Sequence, residues 1–194
     1  RDSSAIALRC HPILPSTVLD AVEARVGRTT EGGLIIHYQL SGNLDRVRIP
    51  PRQSPGPAQE LWRQTCCEAF ISRPGDRGYR EFNFSPSGRW AILSFDGYRK
   101  PRSGETAAPP PRLRVRRSAG LLRLAALLAP QHLSNAGDDV LEIGLAVVVE
   151  ALDGTLTYWA LHHPDGKPDF HRRESFTLAV SGPSKPCTAR RPAR

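Results

Sequence analysis

The chain has 194 residues, 39% of them apolar and 24% charged, with a formal net charge of +8. That balance excludes a disordered chain. No apolar run nears the roughly 18 residues that carry a helix across a bilayer, so membrane insertion is not expected. The opening Arg1–Ser4 does not lead into the apolar stretch of a secretory leader, and a cytoplasmic location is the corresponding expectation.

Period-two alternation dominates the chain in order. Strands are expected at Ala5–Cys10, Leu19–Val26 and Leu34–Leu40, the last with Leu34, Ile36, Tyr38 and Leu40 on one face. Further strands follow at Asp45–Ile49, Thr65–Ser72, Tyr79–Ser85, Trp90–Asp96 and Arg112–Arg117. Gly120–Ala129 satisfies both helical and strand spacing; its neighbours favour a strand facing Leu122, Leu124, Ala126 and Leu128 inward. Leu141–Val149, Leu156–His162 and Ser175–Val180 complete the set. Turn chemistry separates them, including Glu31-Gly32-Gly33, Ser41-Gly42-Asn43, Pro86-Ser87-Gly88 and Leu152-Asp153-Gly154. Short strands at this spacing describe an all-β antiparallel sandwich, one domain over residues 1–180. Two proline-rich stretches, Pro50–Pro57 and Pro101–Pro111, are expected to be irregular, and residues 181–194 a disordered basic tail.

The positive charge is unevenly spread. Residues 99–117 hold seven basic groups against Glu105, and the tail adds Lys185, Arg190, Arg191 and Arg194, which leaves the body close to neutral. Arginine supplies 24 of the 27 basic residues, a bias that fits coding composition better than phosphate recognition. Nucleic acid is therefore not the expected partner, whereas an acidic partner docking on the basic loop and tail would be released by modest salt. Of Cys10, Cys66, Cys67 and Cys187, the adjacent pair would point to opposite faces of a strand, and no CxxC spacing suggests a structural zinc. They read as small buried residues of a reducing compartment.

Two polar-aromatic clusters are the candidates for function. In Tyr79–Phe84, core-facing Phe82 and Phe84 would leave Glu81 and Asn83 projecting as a pair from the other surface, beside Tyr79. Upstream lie Trp62 and Glu68. Aromatic faces stack on the C–H face of a pyranose while carboxylates and amides bind its hydroxyls, so the grouping suits a sugar. The alternative is that these polar groups only pin loop backbone. The second cluster ends a strand at Tyr158-Trp159 and presents His163, Asp165, Asp169 and His171 from a Pro/Gly loop. Such side chains can ligate a divalent metal, yet their spacing fits no established ligand pattern, and Asp169 and His171 bonding the loop backbone is the simpler expectation. No nucleophile elbow, P-loop or dinucleotide fingerprint occurs. Glu68 and Glu81 as a glycosidase pair are not supported by any separation that sequence provides.

At Leu61-Trp62, Thr65-Cys66, Glu68, Phe70-Ile71, Tyr79, Glu81–Gly88, Trp90, Phe95-Asp96, Tyr98-Arg99 and Tyr158–His171, together with His11-Pro12, the chain resembles the bacterial DOMON-like family, which is related to family 9 carbohydrate-binding modules. The resemblance spans roughly residues 5–180. Cys67 stands where an aromatic residue is common, and the Met that often follows the Tyr-Arg motif is absent. The resemblance implies a β-sandwich of jelly-roll type that holds a small polar ligand such as a sugar; no catalysis and a monomeric state are expected beside it. Trp62 and Glu68 best match a ring-and-acid clamp, with Trp90 or Trp159 as the second ring. Other relatives bind haem through Met and His; with no Met here, only a two-histidine version through His163 and His171 would remain, and no cofactor is expected. A purely structural interaction domain is the further alternative.

Overall fold

The computed structural model describes residues 4–103, 109–133 and 140–182. The strands are β1 Ile6–Cys10, β2 Leu19–Arg28, β3 Leu34–Gly42, β4 Gly56–Pro57, β5 Cys66–Ser72, β6 Tyr79–Phe84 and β7 Arg89–Gly97. They continue with β8 Lys100–Pro101, β9 Arg112–Ser118, β10 Leu121–Leu128, β11 Leu141–Glu150, β12 Leu156–Ala160 and β13 Leu178–Val180. No α-helix occurs among the described residues, so none is long and apolar enough to cross a membrane.

The strands form one curled sheet in the order β4-β7-β6-β5-β11-β12-β1-β2-β3-β10-β9. Strand β1 joins its two layers: Ile6, Ala7 and Leu8 pair with β2, while Arg9 and Cys10 pair with β12. Layer A is thus β1-β2-β3-β10-β9 and layer B is β12-β11-β5-β6-β7. All main pairings are antiparallel, as expected for a sandwich.

Alternation packs the two layers. Leu34, Ile36, Tyr38 and Leu40 of β3 and Leu122, Leu124, Ala126 and Leu128 of β10 are at most 1% exposed, the faces that strand spacing assigns inward. Facing them from layer B are Cys67, Ala69, Phe82, Phe84, Leu145 and Val147. One hydrogen bond spans the core: the Tyr38 hydroxyl donates to the Glu68 carbonyl at 2.7 Å, fixing β5 against β3. Cys66 and Cys67 are unbridged, as opposite faces require, and burial pushes both thiols well up. Cys187 lies outside the described residues, as does most of the tail.

Three expectations need correction. Asp45–Ile49 is not a strand: Leu44–Arg46 is a 3-10 turn and Val47 makes one isolated bridge to Ala151. Three residues complete a 3-10 turn, so Leu44 and Val47 both reach the core on one side. Only Leu178–Val180 of Ser175–Val180 pairs, because Arg173–Ser175 turns to press Phe176 onto layer B. The proline-rich stretches are also not wholly irregular. Gly56–Pro57 and Lys100–Pro101 clip onto β7 as two-residue edge strands, the one place a sheet accepts proline.

Layer B carries a second apolar cluster on its outer face. Residues 161–177 return across that surface, and Phe170 and Phe176 pack on Phe70, Tyr79, Phe95 and Val148. Strand β5 is consequently buried at every position. The close approach is possible because Gly144 of β11 has no side chain: a Cβ there would lie 2.9 Å from the Phe176 ring. This covering segment creates the cavity described next.

Candidate functional site

Strand parity decides what the outer face of layer B displays. With Cys67, Ala69, Phe82 and Phe84 turned inward, Glu68 and Phe70 of β5 and Tyr79, Glu81 and Asn83 of β6 turn outward. Register then sets Glu68 opposite Asn83, Phe70 opposite Glu81, and Glu81 opposite Leu93 of β7. The two carboxylates are diagonal neighbours on adjacent strands. They lie at the base of a cavity of about 670 Å³. Phe70 and Val148 share the floor, and Phe95, Tyr158, Phe170 and His171 rise around it. The rim is Ile13, Leu14, Trp62, Leu93 and Arg99.

This rim is mostly apolar and open, while the floor holds buried carboxylates beside apolar Phe70 and Val148. Trp62 is 48% exposed and Ile13 61%, whereas Glu68 and Glu81 are 3% and 5% exposed. The Arg63 guanidinium sits 5.0 Å from the centre of the Trp62 ring, where the ring's negative face attracts it. Trp62 belongs to the 3-10 turn Leu61–Arg63, entered through Glu60 in the left-handed region at φ 54°. Arg99 adopts the same region at φ 50°. These are the two non-glycine residues with positive φ among those described; Arg99 lines the cavity itself, and Glu60 leads into the turn that carries Trp62. Such backbone costs on the order of 1 kcal/mol, and it holds Trp62 and Arg99 outward on turns rather than in strands.

Beneath the rim the polar groups are organised by hydrogen bonds. Asn83 Nδ2 donates to Glu81 Oε1 at 2.7 Å. Burial raises the Glu81 pKa despite that bond and the Arg99 charge, which both oppose it. Glu68 is driven well above the carboxylate range, first by burial and then by Glu81. Its Oε1 and the Asn83 Oδ1 are buried and accept no hydrogen bond from the described residues. The Arg99 backbone N–H donates to the Tyr79 hydroxyl at 3.1 Å. That hydroxyl also hydrogen-bonds His171 Nδ1 at 2.8 Å. Nε2 stands 3.6 Å from Glu81 Oε2. Burial, followed by the Arg99 charge, lowers the His171 pKa to about 4, so the ring is neutral near pH 7.

A second lock secures the covering segment. Asp169 accepts from the Tyr98 hydroxyl at 2.6 Å, from Arg99 Nη2 at 3.0 Å and from the His171 backbone N–H at 3.1 Å. Burial alone would raise its pKa; the Tyr98 and Arg99 contacts win and hold it below the usual range. Asp169 and His171, two of the residues considered as metal ligands, are thus engaged in the fold. His163 does not line the cavity; its Nε2 meets the Arg9 carbonyl at 2.8 Å and its ring stacks edge-on with His11. Among the described residues no three His, Cys, Asp or Glu side chains are grouped to hold a metal.

Of the residues singled out from the sequence, the structure brings Trp62, Glu68 and Glu81 to one cavity, with Asn83 bonded to Glu81 behind them. Trp90 and Trp159 are elsewhere and need correction. Trp159 is 6% exposed in the inter-layer core, opposite Val147, and Trp90 packs against the same core opposite Phe84. Parity gives the reason, since both face inward. The rings that accompany Trp62 are instead Tyr158, one residue away on the outward side, and Phe170. Because β12 pairs with β11, inward Val147 already implies inward Trp159; that signal needs the pairing, which sequence alone does not supply. Ile13, Leu14 and Leu93 carry no motif and were legible only in three dimensions.

The fold and cavity together define a two-layer β-sandwich with a cavity of about 670 Å³ on the outer face of layer B. Solved structures share this fold. A proposed carbohydrate-binding protein from Bacteroides uniformis is 16% identical with a TM-score of 0.66, covering 93% of this chain and 86% of that one. A family 9 carbohydrate-binding module from Caldicellulosiruptor kristjanssonii, solved with cellotriose, is 11% identical with a TM-score of 0.63, over 96% and 86% of the two chains. Such a module from that organism with glucose is 9% identical with a TM-score of 0.58, over 94% and 88%. No family model matches the chain, and no curated protein does.

Proposed function

We propose that this chain is a non-catalytic carbohydrate-binding module, similar to the DOMON-like and family 9 modules, whose site is the cavity on layer B. The observation that carries the reading is the exposed Trp62 ring standing above buried Glu68 and Glu81, with an acceptor oxygen of Glu68 left unpaired. A sugar presents what that arrangement lacks: a C–H face for the indole and hydroxyl donors for the carboxyl oxygens. Tyr158 and Phe170 supply further apolar wall, and Arg99, held by Asp169, supplies donors at the rim. The shared fold with modules solved with glucose and cellotriose supports the class of ligand.

Calorimetry with glucose and cellotriose, followed by a wider glycan panel, tests the proposal. Trp62→Ala is expected to weaken binding at least about tenfold, the scale of an aromatic anchor, while a half-exposed position leaves the thermal midpoint nearly unchanged. Glu81→Gln is expected to weaken binding with no release of reducing sugar by either protein. Silence across the whole panel in the parent chain would overturn the assignment.

A further inference from the structure

The opposite side of the molecule, the outer face of layer A, carries a separate feature. Strand register places Arg116, Arg123, Gln39 and Glu23 in one cross-strand row and Arg114, Ala125, His37 and Arg25 in the next. One of these adjacencies juxtaposes like charges, Arg116 beside Arg123. Directly opposed like charges are unfavourable in a sheet. Arg123 is relieved by donating to Gln39 Oε1 at 3.0 Å, and Glu23 is occupied by Gln39 Nε2 at 3.2 Å. Among the described residues no salt bridge engages Arg25, Arg112, Arg114 or Arg116. The small side chains of Ala5 and Ala125 leave a cationic trough of about 510 Å³ between them.

The trough opens at β9, which ends the strand order and, among the described residues, pairs only with β10. Its free edge presents a row of backbone donors and acceptors. Arg112, Arg114 and Arg116 alternate along one side of that edge, while Leu113 and Val115 sit half-buried on the other. The arginines repel a second copy of the same edge and attract an oppositely charged one. A polypeptide alone among polyanions satisfies the backbone row in register.

From this geometry we infer that β9 is a docking edge for an extended acidic segment of another protein, which adds as a strand with carboxylates over Arg112, Arg114 and Arg116 and apolar residues over Leu113 and Val115. Alternate residues of a strand repeat every ~6.8 Å, so acids at every second position match the arginine spacing, and each guanidinium can bind a carboxylate through two hydrogen bonds. The surface is independent of the cavity on layer B.

The test uses a labelled peptide alternating glutamate and valine over the seven residues of β9, read by fluorescence anisotropy with the full chain. Binding is expected to fall at least about tenfold in R114E/R116E and to return when that variant meets the lysine-valine peptide. Methylating backbone nitrogens on the peptide's odd positions or its even positions separates the mechanisms: strand addition predicts that one version fails and the other binds. Trp62→Ala is expected to leave all of this unchanged. Equal behaviour of the two methylated peptides, stronger binding of heparin or duplex DNA, or indifference to the charge reversal would each overturn the inference. R114Q/R116Q supplies the same comparison if the reversal compromises folding.

Discussion

His171 shows how one ring can serve both fold and cavity. It sits between Tyr79, Phe70 and Phe95, hydrogen-bonds the Tyr79 hydroxyl through Nδ1, and places Nε2 3.6 Å from Glu81 Oε2. Its pKa of about 4 lies below the ordinary 6.5, so between those values the unfolded chain binds a proton that the folded chain refuses. The stability that follows is complete above pH 6.5 and is lost as the pH falls toward about 4. Glu68 and Glu81 work the other way. Their raised values make folding favourable below the ordinary carboxylate range and progressively less so as pH rises through the elevated ones. Urea titrations at a series of pH values are therefore expected to show a maximum in mild acid. H171Q should flatten the acidic limb and E81Q the alkaline one; unchanged limbs in both variants would contradict the assigned environments.

Among the elements, β11 is the one on which the site most depends, because both of its faces are packed. Leu145 and Val147 enter the inter-layer core, while Ala146 and Val148 support the outer cluster. Gly144 lets Phe176 settle against that outer side. Gly144→Ala forces the ring or the backbone of the covering segment to move and is expected to destabilise the fold by about 1–3 kcal/mol, as overpacking does. It should also weaken sugar binding, since Phe170 and His171 belong to the same segment; thermal melts and calorimetry on one preparation check both. At this scale most strands were legible, because alternation such as Leu34, Ile36, Tyr38 and Leu40 has a single interpretation when one face is buried. The misreadings fell where another force dominated. Val47 reached the core through a 3-10 turn, and Phe176 was pulled from the strand pattern onto layer B.

For the whole molecule, burial is asymmetric. Layer B is covered on both faces, by the core and by residues 161–177, whereas layer A shows its outer face to solvent as a polar, cationic surface. Amide hydrogen exchange is expected to reflect this, with β5 and β11 the slowest and the β9 edge among the fastest strands to exchange. Uniform protection across both layers would show that the covering segment adds nothing to layer B. The same asymmetry separates the two surfaces of interest: an aromatic-rimmed cavity over acids on one side, an arginine edge on the other. Within the basic stretch at residues 99–117, four cations stand on β9, the strand expected at Arg112–Arg117, and Arg99 lines the cavity.

Composition and alternation were enough to establish an all-β sandwich, the inward positions of most strands, and the outward pairing of Glu81 with Asn83, because side-chain parity along a strand is a local property of the backbone. Which strands lie side by side is not local. Trp62, Glu68 and Tyr158 meet only because β5 pairs with β11 and β11 with β12, and the same register turns Trp159 into the core. Long-range pairing and the return of residues 161–177 across layer B made the cavity, and neither leaves a period in the sequence to be read.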